Sequence, residues 1–234
     1  MEKINKQLPI KMLFIGVVLL LAACSQESKR AETATATDAK SDTRLGEDHT
    51  QHTMQGGEMA GMMAHMHRNM EEMQGMRSKV TGDPDYDFAQ MMSMHHEGAI
   101  RMAEEEIANG TDSEMKEMAQ KTKEMNQADI QKLQDFLGRH APTAGDTTTT
   151  MRMMKPMKSM MDDMHQNMGR MNGKNTDQHF AQMMIHHHEM GNEMASEFLK
   201  MGKTQEMKQM AQKTINEQEK EIQELKSWLD QNKE

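Results

Sequence analysis

Residues 88–137 and 180–229 align at a constant shift of 92, with 24 identities in 50 positions and no gap. One unit therefore occurs twice, and the fold must be assembled from two copies of it. FAQMMSMHHEGAIRMAEEE in the first copy matches FAQMMIHHHEMGNEMASEF in the second, and EMKEMAQKTKEMNQADIQKLQDFL matches EMKQMAQKTINEQEKEIQELKSWL. A looser match, MHRNMEEM at 66–73 against MHQNMGRM at 164–171, precedes each copy.

Each unit reads as a helical hairpin. Asp83 and Pro84 have the chemistry of an N-cap and first helical residue, and Asn109-Gly110 reads as a stop. Thr111-Asp112-Ser113-Glu114, a capping-box pattern with Thr111 as the cap, opens a second helix that runs to about Leu137. In the second copy Met201-Gly202 ends one helix and Thr204 caps the next. The second helices carry an inward stripe at three- and four-residue steps: Met115, Met118, Ala119, Thr122, Ile130, Leu133 and Leu137, then Met207, Met210, Ala211, Ile215, Ile222, Leu225 and Leu229. Two hairpins with one such stripe per helix bury them most simply as an all-α four-helix bundle. The Met-rich segments near 58–76 and 151–171 are expected to add further helices.

The chain begins with Lys3, Lys6 and Lys11, followed by an apolar run from Met12 to Leu21. That is the layout of a secretory signal, and the run is short for a membrane span. Leu21-Ala22-Ala23-Cys24 resembles a bacterial lipobox, which implies cleavage before Cys24 and lipidation of that residue. Residues 25 to about 55 are too polar to bury a core and read as a tether. The expected order is a signal at 1–23, a tether at 24–57, a Met-rich helix and hairpin at 58–138, a linker at 139–150, and the second Met-rich helix and hairpin at 151–234. The expected place is the cell envelope, lipid-anchored, at the outer membrane if the host is Gram-negative. With no cysteine but Cys24, a mature chain has neither disulfides nor thiolate ligands. The net charge of −9 makes nucleic acid an unfavourable partner.

Methionine is the unusual component: 33 in the chain, against six leucines after Cys24. On a helix, residues four apart lie one turn above another, so Met91 faces His95 and Met92 faces His96, as Met183 faces His187 and Met184 faces His188. His95 falls inside the buried stripe and His96 at its flank. Met102, two turns beyond His95, is too far along the same helix to share an ion with it, so a facing helix must complete any site. Met118 and Met125 are candidates for that role. His186 and Met190 are candidates to enlarge the second site, and Met194 is the repeat partner of Met102. Weaker candidates are His65, His67, Met164, His165 and Met168, while His49 and His52 are equally suited to solvent. Thioether sulfur is a soft neutral donor that, with imidazole, selects Cu(I) and by the same logic Ag(I). Met115, Met118, Met207 and Met210 are better explained by packing than by ligation. The adjacent buried histidines, in contrast, need polar partners that a Met-rich core does not readily give.

The His pair, with Phe-Ala-x-Met-Met before it and Met-Ala after it, resembles the bacterial secreted family known as domain of unknown function 305. The resemblance covers about residues 85–230. It implies a ferritin-superfamily fold of two similar two-helix repeats and, from members related to CopM, copper and silver binding. The family's His pair falls on His95 and His96 and again on His187 and His188. The second copy departs from the usual pattern, with Met190 and Gly191 where the first has Gly98 and Ala99.

These readings lead to an envelope protein that sequesters Cu(I) or Ag(I), or hands it to a copper-export partner, in copper tolerance or homeostasis, without catalysis. A Met-rich interaction module for proteins or peptides is the alternative, and a ferritin-like redox enzyme the third. The Glu-x-x-His signature of di-iron bundles is missing from both core repeats, and no inward carboxylate set is evident beyond Glu106, whose repeat partner is Phe198.

Overall fold

A computed structural model describes residues 57–156 and 173–233; Cys24, His49, His52, Met164, His165 and Met168 lie outside the described residues. Among the described residues there are six α-helices and no strand: α1 (Gly57–Gly75), α2 (Pro84–Asn109), α3 (Ser113–Arg139), a single turn α4 (Thr147–Thr150), α5 (Thr176–Leu199) and α6 (Gln205–Gln231). The all-α expectation holds. None of these helices is long and apolar enough to cross a membrane.

The helix limits follow local chemistry. The Asp83 carboxylate accepts from the backbone N–H of Asp85 at 3.1 Å, with Pro84 in the first turn, where a missing N–H costs nothing. Its other oxygen accepts from Thr143 N–H at 3.0 Å and stands 3.1 Å from His140 Nε2, which ties the end of α3 to the start of α2. Asp112, not Thr111 as the capping-box pattern suggests, caps α3 through Met115 N–H at 2.9 Å, because the Thr111 N–H and hydroxyl are taken by Asp177; Thr204 caps α6 through Met207 N–H at 3.4 Å. α3 runs two residues past the expected Leu137.

The repeats interlock through two related carboxylates. Asp85, at the start of α2, accepts from Lys203 N–H at 3.0 Å and Thr204 N–H at 2.9 Å, where α5 turns into α6. Asp177, 92 residues on, accepts from Thr111 N–H and Asp112 N–H, both at 2.9 Å, where α2 turns into α3. Each hairpin thus supplies the acceptor for N–H groups that the other's second helix leaves unpaired. This reciprocity makes α2 and α5 antiparallel about a pseudo-twofold axis. α1 lies against both α2 and α5, contributing Met62, Met63, Met66 and Met70 to one apolar cluster and Met73 to the other.

Those two clusters occupy opposite ends. One holds Phe88, Met91 and Met92 of α2, Leu133 of α3, Met194 and Phe198 of α5 and Met207 of α6, with Phe88 stacked on Phe198 at 4.0 Å. The other holds Met102 of α2, Met115 of α3, Phe180, Met183 and Met184 of α5 and Leu225 and Trp228 of α6. Between them every core helix turns polar at the same level: His95 and His96, then Thr122, Asn126 and Asp129, then His187 and His188, then Thr214, Gln218 and Glu221.

Candidate metal centre

All four paired histidines are in this middle layer, exposed by 2, 3, 0 and 0 % for His95, His96, His187 and His188. His95 and His187, repeat equivalents, stack across the α2/α5 seam with ring centroids 3.9 Å apart. Gly98 and Gly191 make that approach possible. A Cβ on Gly191 would stand 2.5 Å from His95 Cε1, and one on Gly98 would stand 2.9 Å from His187 Nε2. The departure of the second repeat from the family pattern therefore has a steric use: Gly191, where the first copy has Ala99, seats the His95 ring.

His95 Nε2 lies 2.9 Å from the His187 carbonyl oxygen, and a carbonyl can only accept, so this nitrogen carries the proton. Nδ1 is then the bare lone pair, and it is buried without a hydrogen-bond partner among the described residues. The same holds for both ring nitrogens of His187. Burial first, and the neighbouring His96 second, depress the His95 pKa to about 3. Burial, opposed by Asp129, takes His96 to about 4, and burial with His95 holds His187 well below the ordinary value. The rings are neutral donors throughout the physiological range.

His96 and His188 point the other way, towards α3 and α6. The expectation that His96 lies at the flank of the buried face is corrected: the gap between α3 and α6 is closed by polar side chains, so the ring is enclosed. With Met125, Asn126, Asp129, Thr214, Glu217, Gln218 and Glu221, these two histidines line a cavity of about 20 Å³, room for one water-sized body. His188 Nε2 is 3.1 Å from Glu221 Oε2, and the other Glu221 oxygen accepts from Thr122 Oγ1. Asp129, the repeat equivalent of Glu221, is paired with Lys213 at 2.7 Å and Lys132 at 3.0 Å. Burial works against its ionisation, but the two lysines outweigh it and hold its pKa below the usual carboxylate range.

Inward carboxylates beside the histidines are thus present, contrary to the sequence reading. They were overlooked because Asn126 and Asp129, like Gln218 and Glu221, look like solvent-facing residues of a charged helix. The available signal was their place in the stripe, four and seven residues beyond Thr122 and Thr214. Even so, among the described residues no three His, Cys, Asp or Glu side chains are grouped to hold an ion by themselves.

The methionines adjoin the histidine layer on both sides. Antiparallel α2 and α5 bring Met102 into one cluster with Met183 and Met184, and Met194 into the other with Met91 and Met92, all six buried. Each apolar end therefore combines methionines one turn before one His pair with a methionine from beyond the other. Met125 lines the cavity itself, and Met118 is half-buried beside it on an outer groove. Other candidates stand apart. His186, one residue and about 100° from His187, faces outward beside Glu189 at 3.5 Å. Met190 packs partly buried against the Phe88 cluster. His65 pairs with Glu105 at 3.5 Å and His67 is exposed.

The fold and its middle layer define a class: an antiparallel four-helix bundle of two duplicated hairpins, with buried His pairs on the two central helices. Within that class, the family described as a domain of unknown function (DUF305) matches residues 20–137 and again 138–229, and the chain belongs to it. No curated protein matches the chain. Two solved structures are similar. "CopM in the Ag-bound form (by soaking)" is 24% identical over 63% of this chain and 95% of that one, with a TM-score of 0.47. "CopM in the Cu(I)-bound form" is 26% identical over 63% and 96%, with a TM-score of 0.46.

Proposed function

We propose that this chain binds a soft monovalent ion, Cu(I) or Ag(I), in the middle layer of its bundle. His95, His96, His187 and His188 are the nitrogen donors, and the buried methionines of the adjoining layers are the thioether donors. One observation carries the reading: four buried imidazoles, several of whose nitrogens have no hydrogen-bond partner among the described residues, lie between apolar layers in which methionine sulfur is the available donor. A buried polar atom left unpaired costs about 1–3 kcal/mol, and an ion satisfies several at once. The donor set is neutral and suits a monovalent ion, because no buried thiolate has to be balanced.

In this reading the protein stores the ion or passes it to an export partner and does no chemistry on it. Export through residues 1–23 and anchoring at Cys24 place the bundle in the bacterial envelope, in the service of copper tolerance. Titration of the reduced chain with Cu(I) against a chromophoric chelator tests the proposal. Binding that competes with the chelator is expected, and it should be lost in the folded quadruple variant His95/His96/His187/His188→Ala. A variant that binds as tightly as the parent overturns the assignment. Thermal melting gives an independent check, since Ag(I) at 100 times its dissociation constant adds about 2.7 kcal/mol to the folded state.

A further inference from the structure

The two halves of the polar layer are related by the repeat but not equal in charge. Asp129 beside His96 is met by two ammonium groups, Lys213 and Lys132. Glu221 beside His188 is 6 % exposed, and among the described residues it has Thr122 Oγ1 and His188 Nε2 as its partners, with no Lys or Arg nitrogen in ion-pair range. A buried carboxylate without a cationic partner is costly, and a cation bound close by relieves it. Its contact with Nε2 also has a tautomeric consequence. Nε2 is not aligned for a hydrogen bond at that distance, but a carboxylate only accepts, so a ring turned to bond it carries its proton on Nε2 and leaves the Nδ1 lone pair of His188 bare. His95 reaches the same state by a different acceptor, the His187 carbonyl.

We propose that Glu221 is the positioning residue of the second repeat's half-site: it fixes His188 as the Nε2–H tautomer, presents Nδ1 to the ion, and balances the ion's charge from inside the bundle. Asp129 holds the equivalent place, but its charge is already met, so the half-site at His188 fills before that at His96. The absence of any three-residue His/Asp/Glu group among the described residues fits a carboxylate that acts through the imidazole rather than on the ion. Metal-ligating histidines commonly use their second nitrogen in this way, and loss of such a partner weakens binding about 10–100-fold. The inference rests on the soft-ion reading above.

The experiment uses the full chain with Ag(I), which has no redox chemistry to complicate the titration, and compares it with Glu221→Gln and Glu221→Leu. In the metal-free protein, long-range 1H–15N spectra should show His188 protonated at Nε2, and the first equivalent of Ag(I) should move the His188 Nδ1 resonance before any of His96. Glu221→Leu should weaken the first equivalent about 10–100-fold. Glu221→Gln, whose amide oxygen still accepts from Nε2 but carries no charge, should keep the tautomer and recover part of the affinity. It also serves if the leucine variant does not fold. A His188 protonated at Nδ1, first filling at His96, or unchanged affinity in a folded Glu221→Leu chain overturns the inference and leaves the soft-ion reading standing. No uptake of Ag(I) by the parent chain overturns both.

Discussion

At the scale of single residues, the polar layer writes a pH dependence into the fold. With His95 near 3 and His96 near 4 in the folded state, against about 6.5 in an unfolded chain, the unfolded state takes up protons first as pH falls. Stability is unaffected above about pH 6.5 and is lost from there down to about pH 4, with each such histidine contributing up to about 1.4 kcal/mol per pH unit. Melting temperatures measured from pH 7 to 4 should fall steeply, and a flat profile would contradict the burial of these rings. Glu106 runs the opposite way. Burial, and then the Asp177 carboxylate beside it, raise its pKa to about 8. The folded state therefore holds a proton that the unfolded state releases above about pH 4.5, and stability falls as pH rises from there to about 8. Glu106→Gln keeps the shape and removes the titration. It should stabilise the protein by roughly 1–3 kcal/mol at pH 8 and by little at pH 4.5, as urea denaturation at the two pH values can show. Equal effects at both would refute the titration. At this scale Glu106 was legible as an inward residue whose repeat partner is Phe198. Asp129 and Glu221 were not, because a charged residue on a polar helix shows its burial only once the neighbouring helix is in place.

Between elements, the spacing of α2 and α5 rests on glycine and their register on aspartate. Gly191→Ala would drive a methyl group to 2.5 Å from the His95 ring. It should cost about 1–3 kcal/mol and weaken Ag(I) binding with it, which melting and titration of one sample can compare. An alanine that changes neither would mean that the stack is not held by this approach. Asp85 and Asp177 each accept two backbone N–H groups from the opposite hairpin. Asp85→Ala and Asp177→Ala should each cost about 1–3 kcal/mol by leaving those donors unpaired, with helix content unchanged in the native state. A loss below about 0.5 kcal/mol would show that water replaces the carboxylate. The helices and most of their caps were readable from sequence because N-cap chemistry is local; at α3 the cap is Asp112 because Thr111 is engaged by Asp177 of the other hairpin. The interlocking was not, since Asp85 and Asp177 look like ordinary first-turn acids until the partner hairpin stands beside them.

For the whole molecule, duplication has an energetic corollary. At one end Phe88 stacks on Phe198, while at the symmetry-related end the place of Phe198 is taken by Glu106. A peptide of the second hairpin alone, pairing with a second copy of itself, would bring Phe180 to Phe198 at both ends. One of the first hairpin would bury two Glu106 carboxyls instead. The second should therefore gain helix with rising concentration at lower concentrations than the first, as circular dichroism and sedimentation can follow. The reverse order would show that the ends contribute little to association.

Sequence alone determined that there are two copies of a hairpin, where their helices start and stop, that the product is an all-α bundle, and which adjacent histidines to watch. Those are consequences of periodicity and capping, which act over a few residues. Tertiary structure decided the rest. It set α2 and α5 antiparallel, and so brought Met102 to Met183 and Met194 to Met91. It stacked His95 on His187, enclosed His96, turned His186 outward and placed Glu221 under His188. The physical reason is the same in each case: a side chain's partner on another helix is fixed by how two rods approach, and no local pattern along either rod records that.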